Sequence, residues 1–195
     1  HSPRASFTVY LYTMLKVLKK IIPINNNDIY ESIQKLQLER KKIHSSNLSE
    51  SNTALNLAEW IVGIPLIYYP HGLEACAIRF KNSLQENTKM HALAEDVLEA
   101  SHNGIVSWER KSEVQPIILR GKDDYIKTKE RWQIFKEYFE KSGIEYQEIM
   151  SVSGSILSKL ITLIYLLDYC SIYKAVLSNT NPTPISSIDY IKKRL

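Results

Sequence analysis

Ile64-Pro65-Leu66-Ile67-Tyr68-Tyr69 is a six-residue apolar run closed by Pro70 and Gly72. A short, continuous apolar stretch bounded by glycine and proline reads as a buried strand. Directly after it, Leu73 to Met90 places Ala77, Ile78, Phe80 and Leu84 at helical spacing, so a long helix is expected there. Strand followed by crossover-length helix is the unit from which parallel sheets are assembled.

Toward the C-terminus the alternation continues. Gly104-Ile105-Val106-Ser107-Trp108 is expected to be a short strand, Val114 to Leu119 another, and Ile144 to Met150 a last one. Lys122 to Ser142 is a charged amphipathic helix stopped by Gly143, and Ser155 to Leu177 is a long, mostly apolar helix. Pro182-Thr183-Pro184 opens a short final helix, with Thr183 expected as N-cap and Pro184 as first helical residue. Toward the N-terminus, about Thr53 to Val62 reads as a helix, preceded by a polar Ser/Asn link from His44 to Thr53. Before that come a helix from Phe7 to Ile21, ended by Pro23, and another from the Asn25-Asn26-Asn27-Asp28 cap to about Arg40.

The expected fold is therefore α/β, a three-layer sandwich of a parallel sheet flanked by helices, with residues 1–43 as a helical arm and 44–195 as the domain. The apolarity of the long helices predicts that at least one packs in a subunit interface. In such sheets ligands bind beyond the strands' carboxyl ends, which directs attention to the turns after Tyr69, Trp108, Leu119 and Met150.

Composition narrows the class. A chain of 195 residues supports one good core, and 44% hydrophobic with 24% charged residues excludes disordered and collagen-like chains. Lys+Arg 25 against Asp+Glu 21 leaves a net charge of +4, spread along the chain rather than in the basic stripe of a nucleic-acid binder. Cys76 and Cys170 stand far apart without a CxxC pair, so buried free thiols are expected, with neither a structural zinc nor a disulfide framework. The uncharged run from Trp60 to Leu73 is broken by Pro65, Pro70 and Gly72, and the later apolar stretch by Lys159, Asp168 and Lys174. Both fall short of the ~20 apolar residues of a spanning helix. No signal peptide is evident, and a cytoplasmic protein is expected, begun at His1-Ser2-Pro3-Arg4 as a piece of a longer chain.

Several residues could carry chemistry. Ser151-Val152-Ser153-Gly154-Ser155 sits where a strand yields to a helix, a natural phosphate cradle, although a plain helix cap at Ser153 or Ser155 is sufficient reason for serine there and is the reading to prefer. Glu86, two places after Leu84, would act as a general base if partly desolvated; an ordinary surface glutamate is the simpler reading. His102 lies in a turn-like stretch suited to proton shuttling, whereas His71 and His91 lack comparable company. Among Arg79, Lys81, Lys89, Lys192, Lys193 and Arg194, a solvated face accounts for most, and Lys192 stands out on its short terminal helix.

Taken in order, these strings resemble a known family. Arg79-Phe80-Lys81-Asn82-Ser83-Leu84-Gln85-Glu86-Asn87-Thr88-Lys89, then Ser101-His102-Asn103-Gly104-Ile105-Val106-Ser107-Trp108, look like the C-terminal half of the bifunctional phosphoglucose/phosphomannose isomerases of the sugar-isomerase (SIS) superfamily. Pro3-Arg4-Ala5-Ser6-Phe7, Leu119-Arg120-Gly121-Lys122-Asp123-Asp124, Leu166-Leu167-Asp168-Tyr169 and Asn181-Pro182-Thr183-Pro184 extend the likeness over nearly the whole chain. Gln85 and Thr88 replace the family's usual Asn and Ala, and Gly104 replaces a larger polar residue.

The resemblance implies an SIS domain and aldose–ketose isomerisation of hexose 6-phosphates through a cis-enediol, without metal or organic cofactor. It implies Glu86 as the base that moves the proton between C1 and C2, and His102 as the ring-opening histidine supplied across a homodimer interface. It likewise implies that Lys192 assists ring opening or the developing charge, that Arg4 steadies the enediolate, and that Thr183 is associated with accepting both epimers. The phosphate-gripping N-terminal SIS domain of such proteins is absent from this chain. The alternative is a non-catalytic SIS domain that binds or senses a sugar phosphate; no nucleic-acid or membrane partner is expected.

Overall fold

A computed structural model describes residues 3–195; His1 and Ser2 lie outside the described residues. Four parallel strands form one sheet in the order β2-β1-β3-β4, with β1 Ile64–Tyr69, β2 Leu93–Asp96, β3 Val114–Arg120 and β4 Gln147–Met150. Helices precede, connect and follow them: α1 Phe7–Val17, α2 Asn26–Ile43, α3 Thr53–Trp60, α4 Glu74–Thr88, α5 Val97–Ala100, α6 Ile126–Lys141, α7 Ile156–Leu177 and α8 Ser186–Lys192.

Strand alternation sorts the core into two layers. Ile67, Ile117, Leu119 and Ile149 face α3, α4 and α7, where Leu57, Phe80, Leu84, Leu163 and Leu167 close the larger cluster. Tyr68 and Ile118 face the other way, onto Val97 and Ala100 of α5 and Trp132, Phe135 and Phe139 of α6. The expected sandwich of a parallel sheet between helices is thus present.

Two prolines sit in central strands, where a missing N–H would normally break the ladder. The Ile64 amide donates to Glu113 O at 2.8 Å, so even-numbered residues of β1 point their amides at β3 and odd-numbered ones at β2. Pro65 therefore faces β2, whose pairing begins only at Leu66↔Leu93. By the same rule Pro116 faces β4, whose pairing begins at Ile117↔Gln147. Each proline falls just before its neighbour strand starts, and no ladder bond is lost.

One expected strand is corrected. Gly104–Glu109 is a 3-10 helix, and the strand lies earlier, at Leu93–Asp96. Three residues per turn bring Ile105 and Trp108 onto the same side, both against the second cluster, and Trp108 Nε1 donates to Tyr68 Oη at 2.8 Å. The edge strand Leu-Ala-Glu-Asp is half-exposed and carries no β-branched residue, so it lacks the usual signal. The final helix also starts later than expected. Neither Thr183 nor Pro184 caps it: Ile185 occupies that position without a side-chain bond, and the Thr183 amide is held by Asn181 Oδ1 at 2.9 Å.

Contrary to the expectation that Lys159, Asp168 and Lys174 leave this stretch short of a span, α7 is long and apolar enough to cross a membrane by length and composition alone. It is instead sandwiched by α2, α3 and α4, which accounts for its apolarity within one chain. α2 lies along α7 with Ser32, Glu39 and Ile43 buried, whereas α1 buries none of its residues. Cys76 and Cys170 are buried free thiols, as expected.

Candidate active site

Glu86 stands in the last turn of α4. Because α4 leaves the carboxyl end of β1 and returns to the start of β2, that last turn lies at the strands' amino ends, opposite the edge where the sequence directed attention. α7 likewise runs back from β4, so the Asn181–Pro184 turn reaches the same end.

Arg4 joins these pieces. Its Nε pairs with Glu86 Oε2 at 3.1 Å, Nη1 donates to Asn87 Oδ1 at 2.8 Å and Pro182 O at 2.9 Å, and Nη2 donates to Thr183 O at 3.1 Å. Thr183 thus meets the constellation through its carbonyl. Lys89 closes the back: in a left-handed conformation (φ 62°) it ends α4, and its Nζ donates to Glu86 O and, at 2.8 Å, to Pro184 O.

The Arg4 backbone is anchored separately. Arg79 Nη2 donates to Arg4 O at 3.1 Å and to Asp168 Oδ2 at 2.7 Å, its Nε reaches both Asp168 oxygens at 3.1 Å, and its guanidinium stacks 4.3 Å from the centre of the Phe7 ring. Ser83 Oγ adds a bond of 2.9 Å to Asp168 Oδ1. Burial raises the Asp168 carboxyl above its usual range, and Arg79 and Ser83 oppose that rise. Arg4, Phe7, Arg79, Ser83, Glu86 and Ile164 help line a cleft of about 320 Å³.

Arg79 is therefore not the solvated cation its helical setting suggested, whereas Lys89 is exposed and, among the described residues, bound only to two backbone carbonyls. The available signal was Asp168, a lone acid inside an apolar helix, where an unpaired charge would be costly. Asn87 and Ser171, both buried, carried no signal of their own beyond the place of Asn87 in the first quoted string.

His102 and Lys192 are not brought to Arg4 and Glu86 within this chain. His102 is exposed in the turn after α5, on the side of the sheet opposite α4, and Lys192 is exposed in the last turn of α8. Among the described residues no group of His, Cys, Asp or Glu could hold a metal ion.

The Ser151–Ser155 loop at the carboxyl end of β4 is occupied by the chain itself. Ser155 caps α7, its Oγ accepting from the Ser158 amide at 3.2 Å. Glu31 of α2 presents Oε2 to the Ser155 amide and to Ser158 Oγ, both at 2.9 Å. Lys35 pairs with Glu31 Oε1 at 3.0 Å and donates to Ser153 O. The Ser155 amide, Lys35 and the serine hydroxyls hold the Glu31 carboxyl down at about 2. Gly154 has φ +109°, and a Cβ there would collide with Glu31 Oε1 and Lys35 Nζ.

Three comparisons place this architecture. The chain is 30% identical over 99% of its length to the bifunctional phosphoglucose/phosphomannose isomerase of Caldicellulosiruptor bescii, and it spans 59% of that relative's length. Its fold is similar to a glucose-6-phosphate isomerase like protein from Thermus thermophilus (TM-score 0.66, 18% identity, 80% of this chain and 54% of that one). It is also similar to tagatose-6-phosphate ketose/aldose isomerase from Escherichia coli (TM-score 0.62, 13% identity, 88% and 51%). At such identities the two structures speak for the fold alone. Residues 50–195 match the bacterial phospho-glucose isomerase C-terminal SIS domain, and the chain belongs to that family.

Proposed function

We propose that this chain supplies the proton-transfer half of a phosphosugar isomerase, interconverting glucose 6-phosphate or mannose 6-phosphate with fructose 6-phosphate. The observation that carries this reading is the Arg4–Glu86 pair at 3.1 Å on the wall of an open cleft. Isomerisation needs one carboxylate to carry a proton and one cation where negative charge appears. In the aldose-to-ketose direction Glu86 removes the C2 proton, and the electron pair forms the C1=C2 bond of the cis-enediol while charge develops on the C1 oxygen. Arg4 stabilises that oxygen. Return of the proton to C1, with the C2 hydroxyl proton passing to the C1 oxygen, completes the ketose, so no net oxidation occurs and no cofactor is needed.

Ring opening is assigned to His102 and Lys192. His102 lies on the other side of the sheet from Glu86, so its role requires a second copy of the chain, and a homodimer with shared sites is part of the proposal. Thr183 borders the sugar and admits both epimers. The protein would work in the cytoplasm, where hexose phosphates are found.

The test is isomerase activity on fructose 6-phosphate in the full-length protein, with Glu86→Gln and His102→Ala variants. Glu86→Gln is expected to lower kcat by about 10²–10⁴-fold with the sugar phosphate still bound. A protein that binds the sugar phosphate and never converts it would overturn the enzyme reading in favour of a sensor. Mixing Glu86→Gln with His102→Ala subunits is expected to restore part of the activity if the site is shared.

A further inference from the structure

We propose that Asn87 is a positioning residue for this reaction: it fixes the plane of the Arg4 guanidinium, and through it the side of Glu86 left open to the sugar. The inference rests on the roles proposed above for Arg4 and Glu86.

Donor direction orders the contacts. Ser171 Oγ donates to Asp168 O at 2.7 Å, so its single proton is committed and toward Asn87 it acts as acceptor. Asn87 Nδ2 donates to that Oγ at 2.8 Å, which sets the amide's orientation and turns Oδ1 toward Arg4 Nη1 at 2.8 Å. Each hydrogen bond in the line from Asp168 O through Ser171 and Asn87 to Arg4 thus has one allowed sense. Ser171 and Asn87 are both buried, so water does not compete for these groups.

Arg4 has five N–H donors. Among the described residues its side chain meets three neutral oxygens, those of Asn87, Pro182 and Thr183, plus the one carboxylate of Glu86. A guanidinium held by neutral acceptors keeps its full charge for Glu86 and for an oxygen that becomes negative. The amide is suited to this place for that reason: an aspartate at position 87 would set a second carboxylate against Arg4 and draw its charge away from the reacting atoms. Asn87 and Glu86 are sequence neighbours on α4, so a shift of the guanidinium toward one moves it relative to the other.

The experiment compares Asn87→Ala, Asn87→Asp and Glu86→Gln in the full-length protein, reading kcat and KM for fructose 6-phosphate and the melting temperature of each. Asn87→Asp is near-isosteric, and the Ser171 hydroxyl can turn its proton toward the new carboxylate, so the fold is retained. Both Asn87 variants are expected to lower kcat by about 30–100-fold with KM within about twofold, the signature of misplacement at the reacting centre. If Glu86→Gln loses activity while both Asn87 variants keep kcat within about threefold, the positioning role is wrong and the proposed function stands. If the loss instead appears as a rise in KM, or tracks the fraction unfolded, Asn87 is structural and the inference is overturned. If Glu86→Gln keeps activity, the proposed function itself fails.

Discussion

Replacing Gly154 by alanine separates two kinds of energy at the start of α7. The backbone there has φ +109°, a region L-residues rarely adopt, and holding alanine in it costs about 1–3 kcal/mol. That part does not depend on pH. The new Cβ also meets Glu31 Oε1 and Lys35 Nζ, both ends of flexible side chains, so the carboxylate is pushed off the Ser155 amide rather than the backbone yielding. In the native protein the Glu31 carboxyl is lowered from 4.5 to about 2. A carboxyl lowered on folding adds stability that is fully present above its unfolded value and lost as pH falls through its folded value. Displacing it returns the group toward its ordinary range and removes that contribution. The stability gap between wild type and Gly154→Ala, read from urea midpoints, is therefore expected to be widest at pH 6–7. It should narrow between pH 4.5 and 2 to the backbone part alone. The backbone part by itself lowers the melting point by roughly 2–12 °C for a chain of this size. A gap that stays constant over that pH range would refute the coupling between Gly154 and Glu31. A gap below about 0.5 kcal/mol at neutral pH would refute the strain as well.

Glu31→Gln is expected to flatten the acid limb of the stability curve between pH 4.5 and 2 without the pH-independent loss, which equilibrium unfolding in urea would check. Trp108→Phe removes the Nε1 donor to Tyr68 Oη, leaving a buried phenol without that partner; a loss of about 1–2 kcal/mol is expected, and a change within about 0.3 kcal/mol would refute the bond's importance. Burial pushes the Cys76 thiol up to about 12 and raises the buried Cys170 thiol as well. Neither is expected to react with a thiol reagent at pH 8 until the protein is unfolded, and fast labelling of the native protein would contradict that burial.

The sheet was legible wherever a strand was buried on both faces. Ile64–Tyr69 and Val114–Leu119 announce themselves because covering helices demand continuous apolar residues. Leu93–Asp96, at the edge, carries polar residues like any loop, while Ile105 and Trp108 borrow a strand's composition to pack a 3-10 turn. The site was legible only as a set of residues. Glu86 and Arg4 were marked by resemblance and meet in space, whereas what holds them, the Arg79–Asp168 pair and the Asn87–Ser171 line, spans 84 to 89 positions in sequence. No local spacing encodes such partners. The same holds for the Ser151–Ser155 loop, where the cap at Ser155 was one of the two readings and the carboxylate beside it comes from 124 positions away.

Unpaired backbone groups account for the placement of charge at both ends of this domain. Helix N-termini present unpaired amides and attract anions; C-termini present unpaired carbonyls and attract cations. At the carboxyl edge of the sheet the start of α7 is satisfied by Glu31, a carboxylate taking the place a ligand anion would want. At the opposite edge α4 ends and the loop between α7 and α8 passes beside it, and their carbonyls gather the cations: Lys89 on Glu86 O in the last turn of α4 and on Pro184 O, Arg4 on the loop carbonyls Pro182 O and Thr183 O. A carboxylate that is to work beside a cation needs that cation fixed by groups that do not neutralise it, and the neutral loop carbonyls of Pro182 and Thr183 meet this requirement. The proposed chemistry therefore sits at the amino ends of the strands, against the usual preference of parallel sheets, where the last turn of α4 meets the loop of residues 182–184 that holds Arg4 against Glu86.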